Sequence, residues 1–389
     1  MGEGYLAFWQ TKIGFQIGDF KMVHELQHWI NDGLMAIFFF VIGLEVKREL
    51  VLGELRDLRR AALPIIAALG GMITPAGIYL FLQAGEPAMR GWGIPMATDI
   101  AFVVGCMAIL GPRVPHGLRV LLLSLAIADD IGAILVIAIG YTSQLNFPML
   151  LLGFAGIIIV FLASRLGVRS FLAYTILGVI TWFGFYESGV HATIAGVILG
   201  LMTPATAYLD TTLIGRLTQR AAAVLSGDWE SQSHRAEKLR KFQWAARESI
   251  SPLEYLENLL HPWVSFIIMP IFALANAGVV FESKDFLSPV AIAVAAGLVI
   301  GKPAGIFILS WLGIKAKLAS LPNGVGWITL LGGGALAGIG FTMALFIAGL
   351  ALSGNLLNEA KVGVLSGSTI SAVTGMILLV LTLPRRKTA

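Results

Sequence analysis

Eleven apolar runs dominate this chain, near residues 31–49, 61–84, 92–110, 117–141, 147–164, 171–186, 188–204, 262–280, 288–312, 327–350 and 361–384. Most are long enough to cross about 30 Å of hydrocarbon as a helix. A soluble core cannot absorb them: 57% of residues are hydrophobic and only 13% charged, where soluble domains carry roughly a quarter charged. In lipid the backbone must satisfy its own hydrogen bonds, so such runs fold as helices. An all-α polytopic membrane protein is therefore expected. Cys106 is the one cysteine, which excludes an internal disulfide. Met1 to Trp29 holds no apolar core of signal-peptide length.

Lysine and arginine set the orientation. They concentrate after every second run: Lys47, Arg48, Arg56, Arg59 and Arg60; Arg113 and Arg119; Arg165 and Arg169; a long segment from Arg216 to Arg247; Lys315 and Lys317; and Arg385 to Lys387. The other face keeps Lys12, Lys21, Arg90, Lys284 and Lys361, and Lys302 lies inside span nine. The unbroken alternation makes the cation-rich face cytoplasmic, with the C-terminus inside. The N-terminus is then outside, and without a signal peptide a preceding span missing from the sequence is expected, the alternative being a short N-terminal tail that simply crosses. The net charge of +4 belongs to that pattern and not to nucleic-acid binding. The expected organisation is an external segment 1–30, a transmembrane domain 31–384 that includes a basic, mostly helical cytoplasmic loop 205–256, and a tail 385–389. Within 11–22, alternating Ile13, Phe15, Ile17 and Phe20 predict a small extramembrane β-hairpin.

Asp99, Asp129, Asp130 and Lys302 sit deep in the apolar runs. Each costs about 2.5–3.5 kcal/mol to insert, so the four cost about 10–14 kcal/mol together. One Asp–Lys pair would serve as a structural bridge, but two further carboxylates remain. Adjacent helical residues point about 100° apart, so one of Asp129 and Asp130 can face a water-filled cavity while the other turns towards Lys302. A carboxylate in such surroundings is neutralised either by a proton or by a small hard cation such as Na⁺ or Li⁺, which prefers oxygen ligands.

Pro95, Thr98 and Asp99 in "IPMATDIAFVVG" are residues that end or cap helices, so span three is read as interrupted there. Span ten, "LLGGGALAGIGFTMALF", has glycines that permit either close packing or a matching interruption. Spans two to four and nine to eleven cross in opposite senses and can form an inverted pair, the arrangement in which transporters hold a midplane site between broken helices. Anionic Asp99 suits the positive N-terminal ends of half-helices, and Lys302 the negative C-terminal ends. Glu45, Lys47, Arg48 and Glu49 at the end of span one, with Glu257 and His261 at the start of span eight, read either as interfacial charge or as a cluster that responds to pH. His191 reads as a hydrogen-bonded core histidine.

"WINDGLMAIFFFVIGLEVKREL", "GWGIPMATDIAF", "LAIADDIGAI", "SGVHATIAGV", "LEYLENLLHPWV", "FALANAGV", "GKPAGI" and "GIGFTMALFIAGLA" occur in that order. Together they resemble the bacterial NhaA-type sodium/proton antiporters over nearly the whole chain. The resemblance implies twelve spans, an inverted repeat with two crossed interrupted helices, and electrogenic exchange of two protons for one Na⁺ or Li⁺, with no cofactor. It places the family's aspartate pair on Asp129 and Asp130, with Asp130 the principal cation ligand, Asp129 and Thr98 beside it, and Thr98, Asp99 and Lys302 supporting the site. It assigns the pH response to Glu45, Arg48, Glu49 and Glu257, and homodimer contacts to the hairpin. The family's first span has no counterpart, and Glu257-Asn258 stands where some members carry Glu-His, so a different pH profile is expected.

Two rivals make other demands. An intramembrane aspartyl protease needs carboxylates converging from two helices and usually a GxGD motif; here the acids are consecutive and the motif is absent. A passive cation channel would conduct Na⁺ without regard to the proton gradient. The chain is expected to be a transporter and not an enzyme.

Overall fold

Spanning segments in hydrocarbon must pair their N–H and C=O groups internally, and the computed structural model does so almost wholly with helices. It describes residues 2–18, 20–142, 145–168, 170–206, 240, 250–279 and 283–383. The expected helical loop over 205–256 and the tail lie largely outside the described residues.

Helix α1 (Gly2–Trp9) leads into an antiparallel hairpin, β1 (Lys12–Ile17) and β2 (Phe20–Glu25). Lys12 pairs with Glu25 and Ile17 with Phe20; Gly18 opens the two-residue turn at φ 59°, a conformation that favours glycine. The hairpin expected over 11–22 therefore runs on to Glu25. The ladder passes straight into α2 (Leu26–Val51), whose Leu26 N–H donates to the Thr11 carbonyl at 2.9 Å.

The remaining helices are α3 (Leu58–Leu82), α4 (Pro87–Met96, a 3₁₀ helix), α5 (Ile100–Leu110), α6 (His116–Gly140), α7 (Phe147–Arg165), α8 (Phe171–Glu187) and α9 (Thr193–Met202). They continue with α10 (Pro252–Asn276), α11 (Pro289–Lys315), α12 (Trp327–Ala337), α13 (Phe341–Ala351) and α14 (Gly354–Thr382). Every predicted run holds helix, α4 and α5 sharing the third and α12 and α13 the tenth. Among the described residues eight segments are long and apolar enough to cross a membrane, the pair α12–α13, bent by 48°, makes a ninth, and α8 and α9 are shorter. Large apolar side chains such as Phe81, Ile109, Ile139, Leu151 and Phe266 are exposed. A lipid-facing surface accounts for them, and the chain is a multi-pass membrane protein.

Lipid tails are as apolar as leucine, so helix association depends on close backbone approach at small residues. In the α2–α9 contact a Cβ on Gly196 would stand 2.2 Å from the Ala36 carbonyl, and one on Gly200 would stand 2.4 Å from that of Phe40. The α3–α11 contact is tighter, since a Cβ on Gly305 would fall 2.0 Å from the Gly70 carbonyl. That contact fixes the height of Lys302, which follows a π-helical turn at Gly297–Gly301; such turns are frequent at functional positions.

Both interruptions fall where Pro95 and the glycines allow helix to stop. Ala97 and Asp99 are extended between α4 and α5, and Gly338 to Gly340 separate α12 from α13. The breaks touch: the Asp99 N–H donates to the Ile339 carbonyl at 2.7 Å.

Candidate functional site

At the crossing, Asp99 joins two helix starts. Its Oδ1 accepts from the Phe102 N–H of its own helix α5 at 3.4 Å. Its Oδ2 accepts from the Thr342 N–H of α13 at 3.0 Å and from the Thr342 hydroxyl. Ser368 of α14 completes the second cap, its Oγ accepting from the N–H groups of Gly340 at 3.2 Å and Phe341 at 3.1 Å.

The opposite pole of the crossing holds helix ends. Lys302, fully buried, donates to the carbonyl of Met96, the last residue of α4, and to Asp129 Oδ2 at 2.9 Å. The Thr98 hydroxyl donates to the same Asp129 oxygen at 2.7 Å and lies 3.1 Å from the carbonyl of Ala337, which ends α12. Asp129 Oδ1 is buried with no hydrogen-bond partner.

Asp130 lies about 100° further round α6, and among the described residues the ammonium pairs with Asp129 and not with it. Asp130 is 3% exposed, and no hydrogen bond to it exists among the described residues. Its charged neighbours are Glu45, Asp129, Lys302 and Asp99. The pair left open by sequence is thereby resolved: Asp129 takes Lys302, and Asp130 stands free.

The charges at the cation-rich end also meet. Arg48 of α2 pairs with Glu257 of α10 and lies 3.9 Å from Glu49. Glu45 Oε1 is 3.3 Å from His261 Nδ1, Glu49 accepts from the Glu54 N–H at 3.1 Å, and Glu257 Oε2 is buried without a partner. His191 is apart from both groups, its Nε2 2.9 Å from the Tyr141 carbonyl.

Thr342 and Ser368 escaped the sequence reading. Thr342 carried a faint signal, a hydroxyl residue just after the glycines of span ten; Ser368 carried none, being one of several serines in the last span. Among the described residues no three His, Cys, Asp or Glu side chains are arranged as a metal cluster.

A family model described as Na⁺/H⁺ antiporter 1 matches residues 1–379. The chain belongs to this family. It is 58% identical over 384 residues to the Na⁺/H⁺ antiporter NhaA of Rhodopirellula baltica, covering 98% of this chain and 87% of that one. It is 52% identical to the NhaA antiporter of Rhizobium meliloti, with 99% and 89% covered. Against the NhaA antiporter of Helicobacter pylori the identity is 45%, with 97% and 87% covered. Membership in the Na⁺/H⁺ antiporter 1 family agrees with the helical, multi-pass fold and its bent helix pair.

Proposed function

We propose that this chain is a secondary antiporter that exchanges cytoplasmic Na⁺ or Li⁺ for external H⁺, by alternating access at Asp129 and Asp130. One observation carries the proposal: a buried carboxylate, Asp130, with no hydrogen-bond donor among the described residues, beside a second whose Oδ1 is likewise without one among them. Charge bookkeeping supports two protons per cation. Each half-helix terminus carries about half a charge, so two N-terminal and two C-terminal ends cancel. Three aspartates and one lysine then leave two negative charges. Two protons cancel them, whereas one Na⁺ leaves the site one charge short, so exchange moves charge.

Asp130 is the principal cation ligand in this scheme, with Asp129 and Thr98 beside it. Asp99 and Lys302 compensate the helix ends. The cluster of Glu45, Arg48, Glu49 and Glu257 tunes activity with pH, and the electrostatic contact of Glu45 with Asp130 supports that coupling. No cofactor is required, since the ions are the cargo. The lysine and arginine distribution supports an inner-membrane orientation with the cluster and the C-terminus inside. The hairpin has two free edges, which suits pairing with a second copy.

The decisive experiment reconstitutes the chain in proteoliposomes and follows Na⁺-driven proton flux with a pH dye. Asp130→Asn should abolish exchange while the protein stays folded, and unaltered turnover would refute the assignment. A passive channel would instead show Na⁺ flux indifferent to an imposed pH gradient.

A further inference from the structure

A second polar group lies at the other end of α2, where none of the residues assigned above occurs. His24 of β2 and His28 of α2 stack with ring centroids 4.6 Å apart. Their Nε2 atoms converge on one phenol oxygen, Tyr186 of α8, at 3.0 Å and 2.6 Å. His28 Nδ1 then faces Asp32 Oδ2 at 3.5 Å. The result is a row from the hairpin inwards, His24, Tyr186, His28, Asp32, hydrogen-bonded through the phenol and closed at its inner end by the 3.5 Å ion-pair contact.

The chemistry of this row is directional. A phenol has a single proton, so it can donate to one imidazole only while accepting from the other. An imidazole that takes a proton on Nε2 can release one from Nδ1, here towards Asp32. Two stacked imidazolium ions would repel, so the row holds one excess proton at a time. Charged and titratable groups bearing on it are Glu25, Glu187 and His191. Exposure falls inwards, from 42% for the His28 side chain to 22% for Asp32.

A narrow gap lined by Phe39, Ile134, Ile137, Thr193, Ile194 and Val197 has no room for a water molecule and forms a mostly apolar plug. Phe39 lies between Asp32 and Glu45 along α2, and Ile134 and Ile137 follow Asp130 along α6. Side chains of this plug thus follow Asp32 along α2 and Asp130 along α6, one helix from the row and one from the ion site.

We propose that His24, Tyr186, His28 and Asp32 form the outer proton port of the exchanger, delivering protons to the water column that replaces the plug when the site opens to that side. This rests on the antiport function proposed above. No step requires a redox partner: each proton leaves one oxygen or nitrogen as it joins the next.

The test uses the full chain in proteoliposomes with two readouts, Na⁺-driven proton flux and ²²Na⁺/Na⁺ exchange at equal pH. Tyr186→Phe keeps the ring and removes the proton carrier. It should slow Na⁺/H⁺ exchange about tenfold or more, at the low end of what positioned proton transfer contributes, and leave Na⁺/Na⁺ exchange unchanged. His28→Gln should do the same, with partial rescue by imidazole added on the hairpin side. An equal loss of both exchanges would assign the row a structural role and overturn the port, as would full Na⁺/H⁺ turnover in both variants. A wild-type protein without Na⁺-coupled proton flux would instead refute the underlying function.

Discussion

Lys302→Met isolates the energetics of the crossing. The lysine and Asp129 side chains are both wholly buried, with the ammonium 2.9 Å from Asp129 Oδ2. Removing the ammonium leaves Asp129 with one donor, the Thr98 hydroxyl, and leaves the Met96 carbonyl without its lysine. Breaking a buried pair by deleting one partner costs about 3–5 kcal/mol, whereas removing both charges is often nearly neutral. Lys302→Met alone should therefore lose about 3–5 kcal/mol of stability at pH 8, and Asp129→Asn with Lys302→Met should recover most of it. The single variant's deficit should also shrink in acid, because a protonated Asp129 no longer needs the cation. Denaturant-induced unfolding of purified protein in detergent, followed by tryptophan fluorescence, measures all three. A single-variant loss below about 1 kcal/mol, or simple additivity in the double variant, would show that the two charges are not coupled.

Other outcomes follow from the same geometry. Ser368→Ala removes the acceptor for two α13 N–H groups and should cost about 1 kcal/mol, read as a lower unfolding temperature. Gly305→Ala places a Cβ 2.0 Å from the Gly70 carbonyl; overpacking there should cost about 1–3 kcal/mol and slow transport by displacing Lys302. Arg48→Gln takes away the cation paired with Glu257. The carboxylate should then hold its proton more tightly, so activation in the vesicle assay should move about one pH unit upward.

The helices were largely legible because hydrocarbon leaves the backbone no other option, and Pro95, Thr98 and Asp99 marked the first break. Lys302 was identifiable as the sole cation deep inside an apolar run, away from its ends. Sequence left open which aspartate meets it, because a helix turns both neighbours through equivalent angles until packing fixes the rotation. The tight α3–α11 contact supplies that information, and it depends on a glycine pair that reads equally well as ordinary packing. Thr342 and Ser368 were hidden for a related reason: neutral hydroxyls cost little in lipid, so nothing in composition distinguishes a cap from a bystander. The hairpin end was missed because Val23, His24 and Glu25 break the apolar alternation that predicted its beginning.

The hydrogen bonds around Asp99 run in both directions, its N–H to Ile339 and its carboxylate to Thr342 and Phe102. Neither interrupted helix can slide past the other without rupturing them. Under the alternating access proposed above, the X they form would travel as a rigid axle, and the surrounding helices would absorb the tilting that uncovers Asp130 to each compartment in turn.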